Sequence, residues 1–206
     1  MFAENVGFSD NHPQTISTPH LVRRMFQISR DRPAYYLTSV THERLPIFQK
    51  DEVKKILADA LDEARRSSGI MIFAYVIMPD HTHVLTDSAR TIGDTLKFIN
   101  GISAKRVLDY LKSNNFQSSL EKLRIQEREN KHKYSVYEHH PNAFRVTSED
   151  SLIQKVNYIN LNPVRAGLVE QPDEYLYSSA RQWHKRSLES EPLIVDFKSI
   201  KWRTAA

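Results

Sequence analysis

Apolar residues recur along the chain with two different spacings, and the spacing names the elements. Ala34 to Thr41 (AYYLTSVT) is aromatic and β-branched, the composition of a strand. From about Asp51, Val53, Ile56, Leu57, Ala60, Leu61 and Ala64 fall on one side of a 3.6-residue period. That predicts an amphipathic helix packed on a sheet and stopped by Ser67, Ser68 and Gly69. Ile70 to Met78 is unbroken and apolar, which predicts a central strand covered on both faces. Pro79 and Asp80 turn the chain, and His81 to Asp87 returns as the partner strand. Ile92, Leu96, Ile99, Ile102, Leu108 and Leu111 mark a second helix from Thr91 to about Asn114. Residues 116–133 are polar and give no clear period. Residues 134–146 hold a short edge strand interrupted by Pro141.

Thr147, with Asp150 three positions on, marks the start of the next helix, which runs to Pro163. Leu176 to Trp183 reads as a packed turn or short helix. The order strand, helix, strand, strand, helix, strand predicts an α+β fold. It is a ferredoxin-like (RRM-like) sandwich, an antiparallel sheet with helices packed on it. Residues 1–32, broken by Pro13, Pro19 and Pro33, read as an extension with one helical turn at LVRRMF and phosphate-reaching arginines at 23, 24, 30 and 32. The domain spans 33–184, and 185–206 reads as a tail.

Composition narrows the classes. The chain has no cysteine, which excludes a disulfide framework and a thiolate metal site. No apolar stretch reaches the roughly 20 residues of a membrane span, and the first residues lack a signal pattern. A cytoplasmic protein without a membrane partner is the expectation. The net charge of +4 leans toward an anionic partner. Between Lys97 and Lys133, nine lysines and arginines face four acids. A solvated helix face is the plain alternative.

Two stretches carry candidate chemistry. Side chains alternate along a strand, so His81 and His83 share a face while Thr82 and Val84 point away. Two neutral imidazoles so placed can bind one divalent ion; a polar pair on a solvated sheet face is the plain alternative. In the helix SEDSLIQKVNYINLNP, Leu152, Val156 and Ile159 form the docking stripe. Tyr158 and Asn162 project together beside it, flanked by Gln154 and Lys155. A carboxamide oxygen suits a hard ion. A helix-terminal asparagine and a half-buried tyrosine are the ordinary readings of the same residues.

These stretches resemble a known family. MPDHTH is similar to the histidine–hydrophobic–histidine signature of the IS200-like single-tyrosine transposases, a group of HUH endonucleases. YINLNPVRAGLVEQPDEYLYSSARQW resembles the C-terminal block of the REP-associated tyrosine transposase branch. The likeness runs from about Tyr35 to Trp183. It departs at Thr82, where the family has a bulky apolar residue, and at SVYEHHP, where relatives carry a Trp-Gln pattern.

The resemblance implies Tyr158 as the catalytic nucleophile, with His81, His83 and Asn162 as ligands of Mg2+ or Mn2+. It implies metal-dependent cleavage and strand transfer on single-stranded or hairpin DNA through a 5′-phosphotyrosine, in transposition or recombination. Lys97, Lys105, Arg106 and Lys112 on the second helix, and Arg165, are the candidate DNA contacts. The active site belongs to a monomer or is shared across a homodimer. The alternatives are a domesticated enzyme of the same chemistry, a catalytically silent hairpin-binding regulator, and a sheet-surface RNA binder.

Overall fold

Alternation along the strands divides this chain into a packed side and a reactive side, so the register of the sheet positions everything else. The computed structural model describes residues 32–125, 133–139 and 142–200. The expectations for LVRRMF, for Arg23, Arg24 and Arg30, and for Pro141 lie outside the described residues. The strands are β1 (Ala34–Val40), β2 (Ile72–Ile77), β3 (His81–Asp87) and β4 (Asn142–Val146). The helices are α1 (Asp51–Ser68), α2 (Ile92–Ser113), α3 (Gln117–Lys122), α4 (Glu149–Arg165) and α5 (Ala180–Trp183). All neighbouring strands are antiparallel, in the order β2-β3-β1-β4. This is the α+β sandwich that the hydrophobic pattern predicts.

Local chemistry sets the helix ends. Asp51 and Glu52 stand at the positive end of α1, and Gly69 closes it in the left-handed region at φ 64°. The Thr91 hydroxyl accepts the Asp94 N–H at 3.1 Å and starts α2. In α4 the N-cap is Ser148 rather than Thr147, because the Ser148 hydroxyl accepts the Ser151 N–H at 3.1 Å. The helix also runs past Pro163. Proline removes only one donor, and Ala166 N–H still reaches the Asn162 carbonyl at 3.0 Å. Residues 117–122, for which no period is visible, form α3 by burying Leu120.

One expectation is corrected. β2 is buried along its whole length, but it is an outer strand of the sheet, not a central one. Its free edge is closed by the C-terminal segment. Ile77 N–H donates to the Tyr177 carbonyl at 2.9 Å and Ser179 N–H to the Tyr75 carbonyl at 2.9 Å. The Asp196 carboxylate accepts Ile72 N–H at 3.0 Å, and the Trp183 indole donates to the Phe73 carbonyl at 2.9 Å. An unpaired edge is costly and sticky, so these contacts explain how an apolar strand sits there. The segment beyond Trp183 therefore does not trail away. Leu193, Val195 and Ile200 are buried, and Glu191 forms a buried ion pair with Arg181 at 2.7 Å.

The register assigns the two faces. Thr38 lies opposite His83 and Val40 opposite His81, while on the other flank Tyr36 meets Phe144 and Thr38 meets Asn142. All seven side chains share one face. The opposite face presents Tyr35, Leu37 and Val84 to the core under α1 and α2. The Ser39 hydroxyl donates to Asn100 of α2 at 2.8 Å, which ties α2 to that side. α4 packs on the first face, against β2 and β3. Among the described residues no helix is long and apolar enough to cross a membrane.

Candidate active site

Because α4 docks toward β2 through Leu152, Val156 and Ile159, its adjacent side hangs over the open part of the sheet. Tyr158, Asn162 and Arg165 project there, above His81 and His83. The cavity between helix and sheet is about 620 Å³ and is also lined by Tyr36, Phe144 and Lys155.

Each histidine is oriented by a partner. His81 Nδ1 lies 2.6 Å from the Asp80 carboxylate, which also accepts from Arg44 Nη1 at 3.0 Å. Burial alone raises the Asp80 carboxyl, but its contacts with His81 and then Arg44 hold it below the usual carboxylate range. Arg44 and Glu43 both adopt positive φ, 53° and 51°. The Glu138 carboxylate accepts the Glu43 N–H at 2.6 Å and steadies that turn. His81 Nε2 faces Asn162 Oδ1 at 3.3 Å, and in the neutral ring with its hydrogen on Nδ1 toward Asp80 this nitrogen carries a lone pair. In that tautomer the two atoms share no hydrogen, and a cation between them would satisfy both.

His83 is buried. Its Nδ1 is met by the Tyr36 hydroxyl at 2.8 Å and the Thr38 hydroxyl at 2.9 Å. Its Nε2 is buried with no hydrogen-bond partner. Burial pushes the ring's pKa down to about 3, where a protonated His81 and the Lys155 ammonium also oppose a further charge, so at neutral pH His83 is neutral and, with its hydrogen on Nδ1, its Nε2 lone pair is available. The two imidazoles lie edge to face, 4.9 Å between ring centres. An oriented pair of histidines with partners on the remote nitrogens is how proteins prepare imidazole ligands. Among the described residues no group of three or more His, Cys, Asp or Glu side chains could hold a metal ion, so an ion in this cavity would need a donor of another kind, and the carboxamide of Asn162 is the one beside His81. Two imidazoles and an amide oxygen fit a small divalent ion with open positions for substrate oxygens.

Tyr158 is 38% exposed and opens into the cavity. Its ring stands edge-on to His83 at 5.3 Å and to Tyr36 at 6.3 Å. The Arg165 guanidinium carbon is 5.1 Å from its ring centre. The structure thus brings together His81 and His83 from β3 with Tyr158, Asn162 and Arg165 from α4. It does not bring the basic residues of α2 to them. Lys97, Lys105, Arg106 and Lys112 lie on the far face of the sheet. There Lys105 pairs with Asp109 at 2.9 Å, Arg106 pairs with Glu63, and Lys112 sits over the Tyr134 ring. Lys97, Lys105 and Lys112 line a separate groove of about 840 Å³.

Sequence reasoning missed the residues that orient the site. Asp80 was legible as the neighbour of His81. Tyr36, Thr38 and Arg44 were not, since only pairing across the sheet and turn brings them near. Thr82 is buried on the opposite side, beside Ser39 and Ile77, as alternation requires.

The family model described as IS200-like transposase matches residues 30–149, more than half of the chain, and the chain belongs to that family. The matched span contains both histidines and ends before Tyr158. A solved REP-associated tyrosine transposase, bound to a REP hairpin, has the same fold at 14% identity and a TM-score of 0.53. The likeness covers 87% of this chain and 96% of that one. A protein of Deinococcus radiodurans R1, assigned as a transposase, is 22% identical over 65% of this chain and 92% of its own, with a TM-score of 0.46. No curated protein matches the chain.

Proposed function

We propose that this protein cuts and rejoins single-stranded DNA, with Tyr158 as nucleophile and His81, His83 and Asn162 as ligands of Mg2+ or Mn2+. The observation that carries the reading is the convergence of a half-exposed phenol, the orphaned Nε2 of His83 and the paired acceptors of His81 and Asn162 in one cavity. Membership of a transposase family supports the reaction class. The hairpin bound by the REP-associated relative supports hairpin DNA as the form of substrate.

The Tyr158 oxygen attacks phosphorus in line. A Tyr158 O–P bond forms, the P–O3′ bond breaks, and the phenolic proton is balanced by protonation of the departing 3′-oxygen. The products are a 5′-phosphotyrosine and a free 3′-hydroxyl. The ester keeps the bond energy, so a second 3′-hydroxyl reverses the step and joins strands. The ion's part is to polarise the scissile phosphate and stabilise charge on its oxygens. Asp80 and Arg44 hold His81, and Tyr36 and Thr38 hold His83, so the donors need no rearrangement at the moment of reaction. Arg165 is proposed against a phosphate beside Tyr158. Lys97, Lys105, Arg106 and Lys112 are proposed only for DNA long enough to reach the far face.

The test uses the full chain and a pool of labelled single strands. Each carries an imperfect hairpin between randomised flanks, with Mg2+ or Mn2+ present. A covalent protein–DNA adduct on a denaturing gel is expected from single strands, and none from duplex, in chelator or with Tyr158→Phe. Adducts that survive Tyr158→Phe would sink the assignment of the nucleophile. Binding without cleavage in either ion would leave a hairpin-binding regulator instead.

A further inference from the structure

Lys155 precedes Tyr158 by three residues on α4 and Asn162 by seven, so the three share one side of the helix. Its ammonium lies over aromatic rings. It lies 4.6 Å from the ring centre of Phe144, 5.1 Å from that of Tyr36 and 6.0 Å from that of Tyr158. Phe144 and Tyr36 are cross-strand neighbours on β4 and β1, with ring centres 5.0 Å apart. They make an aromatic floor on the open end of the reactive face. Cation–π contact with such a floor holds an ammonium in place without neutralising it.

The second observation is the missing counter-charge. Arg44, Arg65, Arg106 and Arg181 are each paired with a carboxylate. Among the described residues no acidic side chain pairs with Lys155. An unneutralised cation in the wall of a cavity that also contains a phenol and two imidazoles is a site for an anion. The anion available to that cavity under the strand-cleavage reading is a phosphodiester.

We propose that Lys155 is a further catalytic residue. Its ammonium hydrogen-bonds a non-bridging oxygen of the scissile phosphate on the side away from His81 and Asn162, and moves off the aromatic floor to do so. This rests on the cleavage reading above. The covalent change is the one already written: Tyr158 O–P forms, P–O3′ breaks, and one proton is exchanged between the two oxygens. Lys155 gains and loses no proton. It stabilises negative charge that grows on the phosphate oxygens as the fifth bond forms, which is where a fixed cation helps most.

The experiment uses the full chain and one oligonucleotide recovered from the adduct pool. Wild type and Lys155→Met are compared at saturating DNA for the single-turnover rate of adduct formation. Affinity is compared on a Tyr158→Phe background. Methionine keeps the stem over Phe144 and Tyr36, and Lys155→Arg tests the charge by itself. The expected result is a rate loss of about 100- to 1,000-fold in Lys155→Met. Affinity should fall by less than about tenfold, since one phosphate contact is a small share of the total. Lys155→Arg should recover a clear part of the rate, with melting temperatures within a few degrees across the set. A Lys155→Met rate within about tenfold of wild type overturns the proposal. So does a loss in affinity as large as the loss in rate, and so does an arginine variant as slow as the methionine one. Adduct formation by wild type that is lost in Tyr158→Phe is the control. Its failure sinks the cleavage reading, whereas its success with a fast Lys155→Met sinks only the role of Lys155.

Discussion

The two faces of the sheet are made from alternate residues of the same strands, yet they do opposite things. On one, Tyr35, Leu37 and Val84 are buried beneath α1 and α2, and the cations of α2 outside them are mostly spent on ion pairs or aromatic rings. On the other, Tyr36 and His83 are buried while Thr38 and His81 are covered only in part, because α4 docks toward β2 and leaves the β1–β4 end open. Among the described residues the packed face keeps one buried polar atom without a hydrogen-bond partner, the Tyr75 hydroxyl. The reactive face keeps a buried nitrogen without a partner and a lysine without a carboxylate. The difference is that the reactive face opens into a cavity where a ligand would meet those groups, and one residue of alternation separates that region from the core.

The strongest way to break this contrast is Tyr158→Phe. It removes one half-exposed hydroxyl from the reactive face, so adduct formation should vanish on denaturing gels, while urea unfolding shifts by less than about 0.5 kcal/mol. Next comes its mirror on the packed face. Leu37→Ala, at a fully buried site, should cost about 2–5 kcal/mol in urea unfolding and leave the rate per folded molecule unchanged. A rate that fell with stability would show that the faces are coupled. A smaller effect belongs to Asp80→Ala, which frees the ring of His81. Mn2+ binding measured by calorimetry should weaken about 10- to 100-fold, with the fold intact. The smallest effect separates the two sets of cations. Arg165→Ala should lower the salt slope of hairpin binding by about one, whereas the paired and exposed Lys105→Ala should leave it unchanged. An equal drop for Lys105→Ala would place DNA on the far face as well.

Much of the molecule was legible before any coordinates. The 3.6-residue spacing of Val53, Leu57 and Leu61 foretold α1, and the unbroken run from Ile70 foretold a strand buried on both faces. Its place at the outside of the sheet was not legible. That depends on Tyr177, Ser179 and Asp196, about a hundred residues later, bonding to its free edge. The basic count after Lys97 pointed to α2, but the count does not know which side of the sheet α2 covers. The sequence places Lys155 only as a flank of Tyr158 and Asn162, and what sets it apart is the pair Phe144 and Tyr36 beneath it, which only pairing across the sheet provides.

What the amino-acid order determined unaided is what covalent geometry repeats locally. His81 and His83 had to share a face, and Tyr158 and Asn162 had to share a side, because a strand repeats every two residues and a helix about every 3.6. The tertiary structure alone decided that those two sides meet, that Thr38 and Tyr36 rather than other hydroxyls hold His83, and that α4 sits off-centre enough to leave a cavity. Those choices depend on which apolar surfaces bury each other best over the whole chain, and no short window of sequence contains that sum.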